Sequence, residues 1–158
     1  MILYIYSYVV RNPFHSETRI DLKKISWEEL SILINKVFFH GGEINITKAS
    51  TEYNEEYSTL TYNDLDSYSL VCDERYGYLL GCSIFENDEY PEGSYLRLVN
   101  KNEILSEKIY TFAPFDDEWS ARYVNQDIAI ALKIFKEIYN HGYLSTESKQ
   151  LFKDNLSS

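Results

Sequence analysis

Few side chains in this sequence are of a type that does chemistry, and their spacing does not suit it. Cys72 or Cys82 could serve as a nucleophile only beside a base, and His15, His40 and His141 lie scattered along the chain. No two histidines share a ligand spacing, and two cysteines ten residues apart match no zinc pattern. The acid pairs Asp88-Glu89 and Asp116-Asp117 could exchange protons as a general acid and base. Adjacent acids in turn-like segments are far more often solvated loop residues. There is no G-x-S-x-G elbow, no H-E-x-x-H, no phosphate-cradling loop and no G-x-G-x-x-G. The one glycine pair, Gly41-Gly42, follows a helical pattern instead of opening one, so it reads as a stop and not as a phosphate nest. We therefore expect no catalytic residues, no metal and no cofactor.

What the residues offer instead is a field. Between Ala49 and Leu96 lie eleven carboxylates and a single base, Arg75, an excess equal to the net charge of −10 of the whole chain. The same window holds eight of the fifteen tyrosines. Carboxylates steer a cationic partner and set its register, and tyrosine adds contact area at low entropic cost. Acidic surface is also an ordinary route to solubility, and for any single carboxylate that reading is favoured. The concentration of charge and rings tilts the balance toward a basic protein partner. Nucleic acid is disfavoured, because phosphates would meet a field of their own sign.

Within the window the binding candidates are Glu52, Tyr53, Glu55, Glu56 and Tyr57, then Asp64 and Asp66, then Asp88, Glu89 and Tyr90, all in or beside expected loops. For Tyr68, Tyr78 and Tyr95, on expected strands, a packing role is favoured. Trp27 reads as structural, Trp119 as either, and Arg75 as paired with a neighbouring acid.

The elements that must position these groups are legible from periodicity. The start MILYIYSYVV alternates Tyr4, Tyr6 and Tyr8 with Leu3, Ile5 and Val9, a strand too short to be a membrane span and without the marks of a secretion signal. A cytoplasmic protein is expected. After Asn12-Pro13 a polar connection runs to Ile25. Ser26 and Glu29 form a capping box, and Trp27, Leu30, Ile34, Val37 and Phe38 recur at helical spacing, predicting a helix from Trp27 to Phe39. Glu43 to Lys48 alternates as a half-buried strand, and Ser50 to Glu56 reads as a loop.

Ser67 to Cys72 and Tyr78 to Phe85 predict a hairpin, followed by strands at Ser94 to Val99, Lys108 to Ala113 and, more weakly, Trp119 to Val124. Ile128, Ala131, Leu132, Phe135, Ile138 and Tyr139 form one apolar stripe, predicting a second helix from Ile128 to Asn140 that ends at Gly142. A short helix follows Ser145, and residues 153–158 should fray. With 158 residues and 44% hydrophobic content this is one α+β domain: an antiparallel β-meander with two main helices packed against it. Cys72 and Cys82 then read as small core residues, a disulfide being the minor alternative.

Three stretches together resemble a known family. They are Ser26-Trp27-Glu28-Glu29-Leu30, the step Gly41-Gly42-Glu43-Ile44, and the helix Ile134-Phe135-Lys136-Glu137-Ile138 with its ending Gly142-Tyr143-Leu144-Ser145. They are similar to segments of small acidic bacterial immunity proteins of polymorphic toxin systems, including contact-dependent growth inhibition. The similarity runs from Ser26 to Leu151. It implies an antidote that binds a co-encoded toxin domain, often a nuclease, in the cytoplasm, a role that needs no catalytic residue. An acidic adaptor for some other basic protein is the alternative, and a small hydrolase using its acids is a distant third.

Overall fold

The computed structural model describes residues 2–84 and 94–152. Its frame is a six-stranded antiparallel sheet in the order β2-β1-β3-β4-β5-β6. The strands are β1 (Ile2–Arg11), β2 (Phe14–Asp21), β3 (Gly42–Asn54), β4 (Thr59–Asp73), β5 (Gly77–Ile84) and β6 (Ser94–Arg97). Two further strands, β7 (Ile109–Phe112) and β8 (Asp117–Ser120), form a separate ribbon. The helices are α1 (Trp27–His40), α2 (Ile128–His141) and the short α3 (Thr146–Gln150). The expected α+β fold is the one found. No helix among the described residues is long and apolar enough to cross a membrane.

Period-two alternation sorts the sheet into two faces. One face presents the cross-strand rows Tyr8–Ile44–Leu70–Leu80 and Tyr6–Ile46–Tyr68–Cys82–Leu96, and both helices pack on it. From α1 come Leu30, Ile34 and Val37, and from α2 come Ala131, Ile134, Phe135 and Ile138, all essentially inaccessible. Ile134 lies off the stripe read from the sequence. It is buried because Ala131, Ile134, Phe135 and Ile138 recur at i, i+3, i+4 and i+7, so the buried face is centred one residue away from the stripe as first counted.

Both main helices are capped at their starts, although the Glu29 side chain of the expected capping box makes no hydrogen bond back to the Ser26 N–H. Ser26 Oγ accepts the Glu29 N–H at 3.1 Å, and Asp127 Oδ1 accepts the Ala129 N–H at 3.0 Å. Gly142, at φ 76° and ψ 8°, takes the left-handed conformation that closes α2, its N–H donating to the Ile138 carbonyl.

Several expectations are corrected. The connection after Pro13 contains β2, which escaped notice because its first six residues are all exposed and an edge strand without a buried face carries no alternation. The segment Ser50 to Glu56 is not a loop, since β3 runs on to Asn54 and only residues 55–58 turn. Tyr95 has the expected strand position and sheet-packing role, although it is 53% exposed and lies on the sheet face away from the helices. It covers Gly81, where a Cβ would collide with the tyrosine hydroxyl. Arg97 stacks on Tyr95 and Trp119, 4.7 Å from each ring centroid.

Cys72 and Cys82 are free thiols in the core. Cys82 pairs across strands with Tyr68, four residues along β4 from Cys72. That offset is about 13 Å, beyond the reach of a disulfide.

One buried polar group ties the ribbon to the sheet. Asp73, at the end of β4, has no exposed surface, and its carboxylate accepts from the Arg75 backbone N–H and guanidinium and, at 3.0 Å, from the Ala113 N–H beside β7. Burial alone would raise its pKa, but the Arg75 side chain and the two backbone N–H groups outweigh it and hold the carboxyl at about 2. Arg75 is thus paired as expected. Nearby, Tyr78 exchanges backbone hydrogen bonds with Asn125 and donates its hydroxyl to the Asp127 carbonyl at 2.7 Å, joining β5 to the start of α2.

Two stability predictions follow from these contacts. Because the folded pKa of Asp73 lies below its unfolded value, its stabilisation is present above the ordinary carboxylate range near pH 4 and is lost as pH falls toward 2. Denaturation of wild type should therefore show about 2–3 kcal/mol lost over that window beyond what Asp73→Asn loses; parallel curves would refute this role. Ile134→Ala should cost about 3 kcal/mol, while Leu105→Ala, at a position 83% exposed, should stay within about 0.5 kcal/mol. Equal effects at the two sites would overturn the packing assignment.

Candidate functional site: an acidic β-hairpin arm

The long strands β3 and β4 outrun the sheet that holds them. Pairing of β3 with β1 reaches Ile2↔Ser50, and pairing of β4 with β5 reaches Ser67↔Ser83. Beyond these points Thr51↔Tyr62, Glu52↔Thr61, Tyr53↔Leu60 and Asn54↔Thr59 pair with each other and, among the described residues, with no third strand. The register shifts at the root of this arm, where Lys48 lies between the pairs Thr47↔Ser67 and Ala49↔Asp64, leaving two residues of β4 opposite one of β3. A bulge of this kind bends the strand and increases its twist.

The tip is a turn of four residues held by local bonds. Asn54 Oδ1 accepts the Tyr57 N–H at 3.2 Å, the Glu55 carbonyl accepts the Ser58 N–H at 3.4 Å, and Ser58 has φ 49°. Asparagine at the start of such a turn uses its side chain to mimic a backbone acceptor.

Five of the predicted binding residues meet here. Glu52, Tyr53, Glu55, Glu56 and Tyr57 are all exposed, with Tyr53 at 61% and Tyr57 at 68%. Leu60, which reading of the sequence did not single out, stands opposite Tyr53 on the same face and is 48% exposed. Its signal was available in principle: an apolar residue between acids with no helical or core periodicity around it. From Ala49 to Glu74 there is no lysine, arginine or histidine, so this stretch of chain is acidic throughout.

The remaining candidates divide differently. Asp64 and Asp66 are on β4 rather than in a loop, Asp66 half-buried near the sheet and close enough to the Cys82 thiol to help burial push it up to about 12. Asp88, Glu89 and Tyr90 lie outside the described residues. Asp73 and Glu74, also in the acidic window, sit at the other end of β4, about 45 Å from the tip along an extended strand. Both are engaged internally, Asp73 as described and Glu74 in an ion pair with Arg11 at 3.0 Å. The acidic window is thus not one face. Among the described residues Glu52, Glu55 and Glu56 stand exposed on the arm, and the far end of β4 holds the ion pairs of Asp73 and Glu74.

Among the described residues no three His, Cys, Asp or Glu side chains converge in a metal-binding geometry. Burial raises the pKa of both thiols, which keeps them protonated at neutral pH. Asp116 and Asp117 are exposed around the turn between β7 and β8. Comparison with protein-family models, with curated proteins and with solved structures finds no match to this chain.

Proposed function

We propose that this protein is a non-catalytic binding protein that captures a basic protein partner through the β3–β4 arm. Its most specific form is an antidote that occludes the active or substrate-binding surface of a cationic toxin domain in the cytoplasm of the producing cell. The observation that carries this reading is the arm: three exposed carboxylates, Glu52, Glu55 and Glu56, interleaved with exposed Tyr53, Tyr57 and Leu60 on a ribbon that extends past the packed sheet. A domain seeking only solubility has no need to set aromatic and aliphatic side chains among its carboxylates at a protruding tip.

Charge and rings have separate tasks in such an interface. The carboxylates raise the encounter rate with a cationic surface, and the tyrosines and leucine supply the desolvated contact that slows dissociation. A toxin that acts on nucleic acid must carry a cationic surface for phosphate, and an acidic protrusion is complementary to such a groove. An interface of standard size takes about 800 Å² from each partner, more than a hairpin tip offers, so the partner must also touch the sheet end beside the arm. The adaptor reading shares this surface and differs only in the partner.

The test is kinetic. With a basic, toxin-like protein encoded beside this gene as partner, the association rate should fall at least about tenfold between low and physiological salt. Glu55→Lys with Glu56→Lys should slow association by a similar factor while leaving the melting temperature within about 2 °C, since neither side chain is packed. Association that ignores both salt and the double reversal would rule out the acidic arm. Capture of an unrelated basic protein with the same salt and mutant response, and no binding of the neighbour, would favour the adaptor.

A further inference from the structure

A second site lies between β1, β2 and α1 and involves no residue of the arm. A cavity of about 250 Å³ opens there, lined by Tyr6, Tyr8, His15, Glu17, Glu29 and Lys36 with an apolar wall that includes Ile32 and Leu33. The volume corresponds to about eight waters of bulk liquid. Tyr6 and Tyr8 stack at 6.3 Å with their planes 7° apart, and the Tyr8 hydroxyl is 3.1 Å from His15 Nδ1.

Tyr6 is the informative residue. Only 5% of it is exposed, yet among the described residues its hydroxyl has no hydrogen-bond partner. It is also not sealed away from solvent, because the fully enclosed polar atoms without partners belong to other residues. The Tyr6 hydroxyl thus faces the cavity with its donor and acceptor both uncommitted to protein groups among the described residues. Burial raises the Tyr6 pKa first, then Glu17, Tyr8 and Glu29 raise it further, and both carboxylates line the same cavity as the Tyr6 side chain. Neither carboxylate is in an ion pair among the described residues.

We infer that this cavity is a binding site for a single alkylammonium or guanidinium group. Two carboxylates against one lysine leave the lining one negative charge in excess, which one cation neutralises. The Tyr6 hydroxyl accepts a hydrogen bond from the bound N–H, the carboxylates accept the others, and the tyrosine faces offer cation–π contact. Ile32 and Leu33 take the methylene stem, as apolar surface does for lysine and arginine side chains generally. Two sources supply this chemistry: a free small amine, or a lysine or arginine side chain of a protein.

The test uses n-butylammonium, n-propylguanidinium and putrescine as probes, followed by NMR on the full chain with the His15 and tyrosine ring resonances as reporters. Saturable shifts confined to these residues are expected, with n-butanol and acetate giving none. Glu17→Gln with Glu29→Gln, both on exposed positions and expected to keep the native spectrum, should weaken binding at least tenfold, and Tyr6→Phe should weaken it several-fold. Putrescine binding at least tenfold tighter than n-butylammonium would identify a free diamine as the natural source, and equal binding would identify a side chain. Butanol binding as well as the amine, acetate binding in its place, or an affinity unchanged in the double variant would overturn the assignment.

Discussion

The constraint on which the rest depends is where the buried row of the sheet stops. Helix-facing side chains alternate along β3 as far as Ile46 and along β4 down to Tyr68, opposite which they pack on α1 and α2. The next row still meets the end of α2 through Tyr4 and Gly142, and Ala49 is buried, but from Glu52 to Leu60 every side chain is exposed, so continued alternation of apolar residues there would put them in water. The chain changes composition there instead, to carboxylates, threonines and tyrosines, and the strands persist only because they pair with each other. A two-stranded ribbon is marginal by itself. This one is anchored by the long paired region below it, so its register at the tip is inherited from the core.

Electrostatics follow the same division. Where the acidic window lies within the packed domain its charges are absorbed, Asp73 by Arg75 and the Ala113 N–H and Glu74 by Arg11. Arg97, immediately past the window, is held between Tyr95 and Trp119 on the sheet face away from the helices. The arm has no base in its own sequence. Asp73 and its partners also explain how a small ribbon, β7–β8, stays docked against the sheet through Phe112, Leu79 and Val124 with a core of its own. Charge among the described residues thus differs by place, fastening elements together at Asp73 and Glu74 and standing exposed at Glu52, Glu55 and Glu56.

Much of this was legible in the sequence. Helix α1 announces itself by Ser26, Glu29 and the glycines after it, and α2 by its stripe and Gly142, because capping and 3.6-residue periodicity are local signals. The hairpin at Asp73 to Gly77 was equally plain. What escaped was non-local. Strand β2 has no buried face and hence no alternation, and the arm reads as loop because neither of its faces is covered, so polarity there says nothing about hydrogen bonding. By contrast Ile134, three residues from Ala131 and four from Ile138, belongs to the same stripe and needed only a fuller count of it. The candidate residues Glu52 to Tyr57 were identified correctly as exposed, but their shared geometry, and the contribution of Leu60, required the register of β3 against β4.

The central claim is that the arm makes the contact with a basic protein. Amide hydrogen exchange of this chain, free and in complex with the basic protein encoded beside it, tests it most directly. The account predicts that exchange slows at the backbone amides of Glu52 through Leu60, which pair only within the ribbon and should open readily when free. A complex that forms while those amides exchange as fast as before, with protection confined to the helices or to β7–β8, would contradict it.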